Sequence, residues 1–232
     1  MRITASIRSG HYQPGDQLPS ERDLMAQFGV GRPAVREALL TLQRLGLVEV
    51  RSGLRAKVTK PSPQSLIHGL SSAAEQFLAE EQGVRQLQDA RLFLEVGLVR
   101  HAAVHATAED LDKLREALLA NKRAIGDPEA FTTTDVDFHF VLSLAKRNSI
   151  FLAVHEAVVQ WLAEQRQIAL HNPNEDRIAY AAHEAIFNAI ADRDPDEAER
   201  RMRAHLAQVA DVYWRVKRRR KDVSGRSAPE LA

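Results

Sequence analysis

Residues 18 to 60, LPSERDLMAQFGVGRPAVREALLTLQRLGLVEVRSGLRAKVTK, limit the folds open to this chain more than any other stretch. Val35, Ala38, Leu39, Leu42 and Leu45 recur at the spacing of one buried helical face. Gly46 stands where a glycine accepts the left-handed conformation that ends a helix. A shorter apolar face precedes it in Leu24, Met25 and Phe28, introduced by Ser20 with Asp23 three positions on, a reciprocal capping pair. Gly29, Val30 and Gly31 form the corner between the two helices. Beyond them, Val48, Val50, Ala56 and Val58 bracket Arg51-Ser52-Gly53-Leu54-Arg55, which predicts two short strands joined by a glycine turn. The whole pattern predicts a winged helix-turn-helix, the architecture whose second helix enters the DNA major groove.

Charge follows the motif. Residues 1 to 60 hold ten Lys or Arg against five Asp or Glu, net +5, inside a chain of formal net charge +1. A phosphate-rich partner explains that concentration. Arg32 and Arg36, four apart, share one face near the start of the second helix, the end that reaches base edges, where an arginine can bond guanine O6 and N7 together. Arg22, at the start of the preceding helix, can reach backbone or bases, whereas Arg44, toward the far end, suits the surface or a phosphate. Arg51, Arg55 and Lys57 can lie along a groove, and Gly53 lets the wing backbone approach DNA closely. Singly, these arginines read as a solvated helical face; together with the corner, the wing and the charge, they read as a surface for double-stranded DNA.

With 232 residues the chain can bury a substantial core in one or two domains. Without cysteine it has neither disulfides nor thiolate metal sites. No signal pattern and no apolar run of about 20 residues appear, so a cytoplasmic protein without membrane contact is expected. Residues 3 to 9 form a short first helix closed at Gly10, as expected if it is frayed or if the protein begins upstream of Met1. Pro61 and Pro63 mark a boundary, and Ser62 can cap a helix through Leu66, Leu70, Ala73, Ala74 and Phe77. Helical patterns then fill about 84–106, 109–125, 129–146, 149–170, 175–192 and 195–217, with starts signalled by Thr107 and Asp110 and by Asp194-Pro195-Asp196-Glu197. The expected organisation is a winged helix-turn-helix domain over 1–60, a linker and linking helix over 61–82, an all-α helical-bundle domain over 83–217, and a basic flexible tail over 218–232.

That second domain carries its own chemistry. Asp135 and His139, i,i+4 on one helix, border an apolar stripe, as do His183 and His205 on two later helices. One carboxylate and three imidazoles suit a divalent transition metal, zinc first, with nickel or manganese next. The residues alone also allow a set of core or surface histidines. His101, His105, His155 and His171 have less support and read as surface or packing residues. Arg91, in an apolar helix, either rests on Glu95 four residues on or clamps the carboxylate of a small acidic ligand. No serine or cysteine nucleophile and no phosphate cradle is evident, and Glu184 beside His183 points about 100 degrees around its helix. A metallohydrolase reading is therefore weak, and no enzyme is expected.

Gly10, Pro14-Gly15, Leu18-Pro19-Ser20-Glu21-Arg22, Gly29-Val30, Arg32, Val35-Arg36, Ala38-Leu39, Leu42 and Gly46-Leu47 resemble the winged helix of the GntR superfamily of bacterial transcription regulators. Arg91, Glu95, Asp135, His139, His183 and His205 extend the resemblance to its FadR-like branch, which carries an all-helical FCD effector domain. Gln17 to Arg22, Phe28 to Pro33, Gly53 to Ser62 and Asp135 to His139 are similar to the sialic-acid-responsive repressors of that branch. The resemblance implies that Arg22, Arg32, Arg36 and the wing at Gly53 contact a palindromic operator. It also implies that Asp135, His139, His183 and His205 ligate a metal in an effector cavity, that the protein is a homodimer, and that it represses uptake or catabolism of a carboxylated sugar.

Overall fold

The computed structural model describes residues 2–68 and 71–226. Contacts divide the chain into two compact units, Met1–Ala74 and Glu75–Ala232.

The first unit contains α1 (Arg2–Arg8), α2 (Glu21–Phe28), α3 (Arg32–Arg44), β1 (Val48–Glu49), β2 (Lys57–Val58) and α4 (Pro63–His68). Ser20 and Asp23 form the expected capping box, the Ser20 Oγ accepting from the Asp23 N–H at 3.2 Å and Asp23 Oδ2 from the Ser20 N–H at 3.3 Å. Gly29 and Gly46 take φ of 64° and 67° at the ends of α2 and α3. At the second end the Gly46 N–H bonds the Gln43 carbonyl and the Leu47 N–H the Leu42 carbonyl, both at 2.9 Å, the double closure of a Schellman cap. Leu45, expected on the buried face, is 49% exposed, because the helix ends one residue earlier. Leu18, Leu24, Val35, Leu39, Leu42, Val48 and Val58 form the core, where each fully buried leucine contributes about 1.5–3 kcal/mol relative to exposure. The wing strands are shorter than the apolar bracket implies and pair antiparallel, Val48 with Val58 and Glu49 with Lys57. The segment before α2 extends this sheet: Gln17 bridges Lys57 and the Leu18 N–H bonds the Ala56 carbonyl at 2.8 Å.

Ser62 caps α4 through the Ser65 N–H at 3.2 Å. The single helix expected there is described as α4 and α5 (Ser71–Leu78), the second of which holds the boundary between the units and in which Phe77 is 52% exposed; Leu70 lies outside the described residues.

The rest of the second unit is α6 (Glu81–His105), α7 (Ala108–Arg123), α8 (Pro128–Leu144), α9 (Ser149–Trp161), α10 (Ala163–Leu170), α11 (Glu175–Ala191) and α12 (Pro195–Arg226). Thr107 and Asp110 form a second capping box, and Asp194 Oδ1 accepts from the Asp196 and Glu197 N–H groups at 3.1 and 2.9 Å. Two expectations change. The pattern over 149–170 is two helices that part at Leu162, a residue with neither the Gly nor the Pro that would announce a break, buried at 2% exposure. The last helix continues to Arg226, past the expected start of the tail, and 227–232 lie outside the described residues. Val99, Ala103, Phe138, Leu142, Ile186, Ile190 and Met202 fill the core between α6, α8, α11 and α12. Among the described residues no helix is long and apolar enough to cross a membrane.

Candidate functional site

The two units present separate sites. In the first, Arg22, Arg32, Arg36, Arg51, Gly53 and Arg55 all line one open hollow of about 620 Å³ between α3 and the wing. Arg32 and Arg36 are 64% and 61% exposed at the side chain, so α3 turns them outward while Val35, Leu39 and Leu42 face the core. Gly53 takes φ of 76° at the wing tip, and Arg51 pairs with Glu49 at 2.8 Å. Sequence reasoning passes over Glu21, which also lines the hollow: its Oε2 accepts from Arg32 Nε at 2.9 Å and its Oε1 from Arg36 Nε at 3.2 Å. Those two bonds hold the Glu21 carboxyl below its usual range.

In the second unit, Asp135 and His139 from α8, His183 from α11 and His205 from α12 come together, none more than 4% exposed. One donor atom from each lies within 4.8 Å of all the others. His205 Nε2 is 3.3 Å from His183 Nε2 and 3.4 Å from His139 Nε2, and His183 Nε2 is 3.5 Å from Asp135 Oδ1. Burial, with the neighbouring His139, holds His183 well below its ordinary value; burial, then His183 and His139, does the same to His205. Both are therefore neutral and able to act as ligands.

Buried partners orient two of the rings. Asn121 donates its Nδ2 to Thr134 Oγ1 at 3.0 Å, which turns its Oδ1 to accept from His183 Nδ1 at 3.0 Å. His139 Nδ1 lies 2.7 Å from Glu95 Oε2. Burial alone would raise the Glu95 carboxyl, but His139 and Arg91 outweigh it and keep the group ionised, an acceptor that fixes His139 Nδ1 as donor. The Nε2 lone pair of His183 thus points toward His205 and the Asp135 carboxylate, and His139 presents its Nε2 to the same place. Three imidazole nitrogens and a carboxylate oxygen converging from three helices are a donor set that fits a divalent metal.

Around it lie groups that sequence reasoning missed. Arg166, on α10 and 4% exposed, sits with its Nε 3.1 Å from Asp135 Oδ2, an ion pair not aligned as a hydrogen bond, and its Nη2 has no hydrogen-bond partner among the described residues. Burial, then the charge of Arg91, lowers its pKa to about 10. Arg91 Nε donates to Glu95 Oε1 at 2.9 Å. His155, expected at the surface or in packing, is 2% exposed beside Glu95, its Nε2 3.7 Å from Oε1 and neither ring nitrogen hydrogen-bonded among the described residues. Arg91, Gln165 and Arg166 line a cavity of about 300 Å³ with Leu206, Tyr213 and Trp214. The pairing of Arg91 with Glu95 is the one of these contacts that the sequence anticipates, from their i,i+4 spacing; the other partners converge from separate helices.

Comparison with known proteins agrees with both units. Residues 1–58 match the description "Bacterial regulatory proteins, gntR family" and residues 86–208 match "FCD domain". The chain is 46% identical over 214 residues to the HTH-type transcriptional repressor NanR of Klebsiella aerogenes, covering 90% of this chain and 81% of that protein. It is 46% identical over 211 residues to the Escherichia coli protein of the same name, covering 89% and 80%. Two solved structures share the fold. Streptococcus agalactiae GntR has a TM-score of 0.58 at 24% identity, over 90% of this chain and 95% of that one. E. coli McbR/YncC has a TM-score of 0.55 at 19% identity, over 92% and 94%. A winged helix-turn-helix followed by an all-α bundle, with both family descriptions matched and 46% identity over most of its length, makes this chain a member of the GntR family with an FCD domain, a family of DNA-binding transcriptional regulators rather than enzymes.

Proposed function

We propose that the protein is a homodimeric repressor of genes for uptake or catabolism of a carboxylated sugar, released from its operator by a small acidic effector bound in the second unit. In this reading Arg32 and Arg36 read base edges, with Arg22, Arg51, Gly53 and Arg55 on bases or backbone. A two-fold dimer matches an operator of paired half-sites. Asp135, His139, His183 and His205 would hold the metal. Zinc is the first ion to try, since three imidazoles and a carboxylate are a donor set it takes. Nickel and manganese are the next ions to try. When bound, the metal supplies a Lewis-acidic contact for a carboxylate oxygen.

Charge in the buried site is the observation that carries an acidic effector. Arg91 and Arg166 are balanced by Glu95 and Asp135, and His183 and His205, held neutral by burial, add nothing. A divalent ion therefore leaves positive charge uncompensated in a buried place, where an anion is strongly favoured. Arg91 and Arg166, both lining the cavity, would orient the carboxylate, and Gln165 beside them would meet a hydroxyl or amide. Reversing a 99:1 preference for the operator-bound state requires a differential affinity of about 5.5 kcal/mol. The 46% identity to repressors supports the sign of control. Operator affinity measured with and without N-acetylneuraminate, metal retained, tests the assignment. A large loss of affinity is expected; no change with this acid, but release by another sugar acid, would move the effector class and leave the regulator intact.

A further inference from the structure

The double bond of Glu21 to the two outward arginines leads past the proposed role of α3. Glu21 is the first residue of α2, its backbone set by the Ser20–Asp23 capping box, so its carboxylate leaves a fixed point. One oxygen takes Arg32 and the other takes Arg36, in both cases through Nε. A guanidinium has two ways to make a paired contact: side-on through Nε and one Nη, or end-on through Nη1 and Nη2. Engagement of Nε removes the side-on choice and leaves the end-on pair, whose spacing matches O6 and N7 of guanine. The i,i+4 arginines are then one preset unit instead of two free side chains. An acidic group in a hollow otherwise lined by Arg22, Arg51 and Arg55 also weakens attraction to phosphate wherever base contacts are not made.

We propose that Glu21 is a positioning and specificity residue: it locks Arg32 and Arg36 into end-on presentation to a pair of guanines, and its charge suppresses binding to unrelated DNA. The inference rests on the reading of α3 as the recognition helix, and the test separates the two. The full-length protein is used to select its preferred duplex from a random pool, and affinities of wild type and Glu21→Gln are compared on that duplex, on the same duplex with 7-deazaguanine replacing guanine, and on unrelated duplex. Glutamine carries no charge and has one acceptor oxygen, so it cannot take the two guanidiniums on separate oxygens as Glu21 does.

The variant should bind unrelated DNA a few-fold more tightly, while its ratio of selected to unrelated affinity falls about tenfold. Its penalty for 7-deazaguanine should shrink, and the Nε–H signals of Arg32 and Arg36 should exchange faster in the free protein. Glu21→Asp, which keeps the charge but is one methylene shorter, should restore low affinity for unrelated DNA without restoring the full ratio. An equal rise of Glu21→Gln on all three duplexes would reduce Glu21 to simple repulsion and overturn the proposal, as would unchanged affinities. If wild type selects no sequence at all, the recognition-helix reading fails and takes the inference with it.

Discussion

A ring nitrogen serves a metal best when its other nitrogen is held by a hydrogen bond, so Asn121 and Glu95 shape the cluster as much as the histidines do. Asn121 is fully buried and holds His183 through Oδ1 while Thr134 holds its Nδ2. Removing that acceptor in Asn121→Ala leaves His183 free to turn or to place its proton on Nε2. Metal affinity should fall about 10- to 100-fold, measured by competition with a chromogenic chelator, with DNA binding unaffected. An unaltered affinity would mean that the ring is held by packing alone, for which its stacking on Phe138, with centroids 4.4 Å apart, is the available contact.

Among the elements, the helix ends carry the most local information and the clearest tests. Gly46 and Gly53 both have positive φ, 67° and 76°, but differ in their surroundings. A Cβ on Gly46 would overlap the Ser65 side chain, whereas one on Gly53 meets nothing within 4 Å. Gly53→Ala should cost about 1–2 kcal/mol of backbone strain, and Gly46→Ala more, read from paired denaturant titrations. At the start of α7, burial opposes the Asp110 charge, but bonds from Thr107 and the pair with Arg147 outweigh it and hold the carboxyl below its usual 3.8. A lowered carboxyl stabilises the fold fully above the unfolded value and loses that contribution as pH falls through the folded one. The melting-temperature gap between wild type and Asp110→Asn should accordingly be constant near neutrality and close below about pH 4. A gap that persists into acid would assign the effect to capping geometry instead of charge. The break at Leu162 has no such local signature; it leaves His155 on α9 near Glu95 and Arg166 on α10 near Asp135, which is a tertiary outcome.

At the scale of the molecule, two units with separate cores make ligand effects separable. A metal that binds the folded second unit and not the unfolded chain adds about 2.7 kcal/mol of stability at 100 times its dissociation constant. Zinc should thus raise the upper or lower of two melting transitions but not both, and His139→Ala should abolish the shift; equal shifts in that variant would rule out the four-residue cluster as the site. The helix-turn-helix, its caps, its outward arginines and the helices of the bundle are legible in the amino-acid sequence, because each depends on residues three or four apart or on a glycine at a defined turn. Asp135 and His139 are legible for the same reason, and His183 and His205 from their apolar flanks and the resemblance. Glu21 across two arginines, Asn121 behind His183, Glu95 behind His139 and Arg166 against Asp135 are not. Their partners lie 11 to 62 residues away in the chain, and a contact of that span is decided by how whole helices pack, where a turn of a fraction of a helix face exchanges one neighbour for another. Local stereochemistry chose the elements and which faces they bury; only packing chose which polar groups of different helices meet.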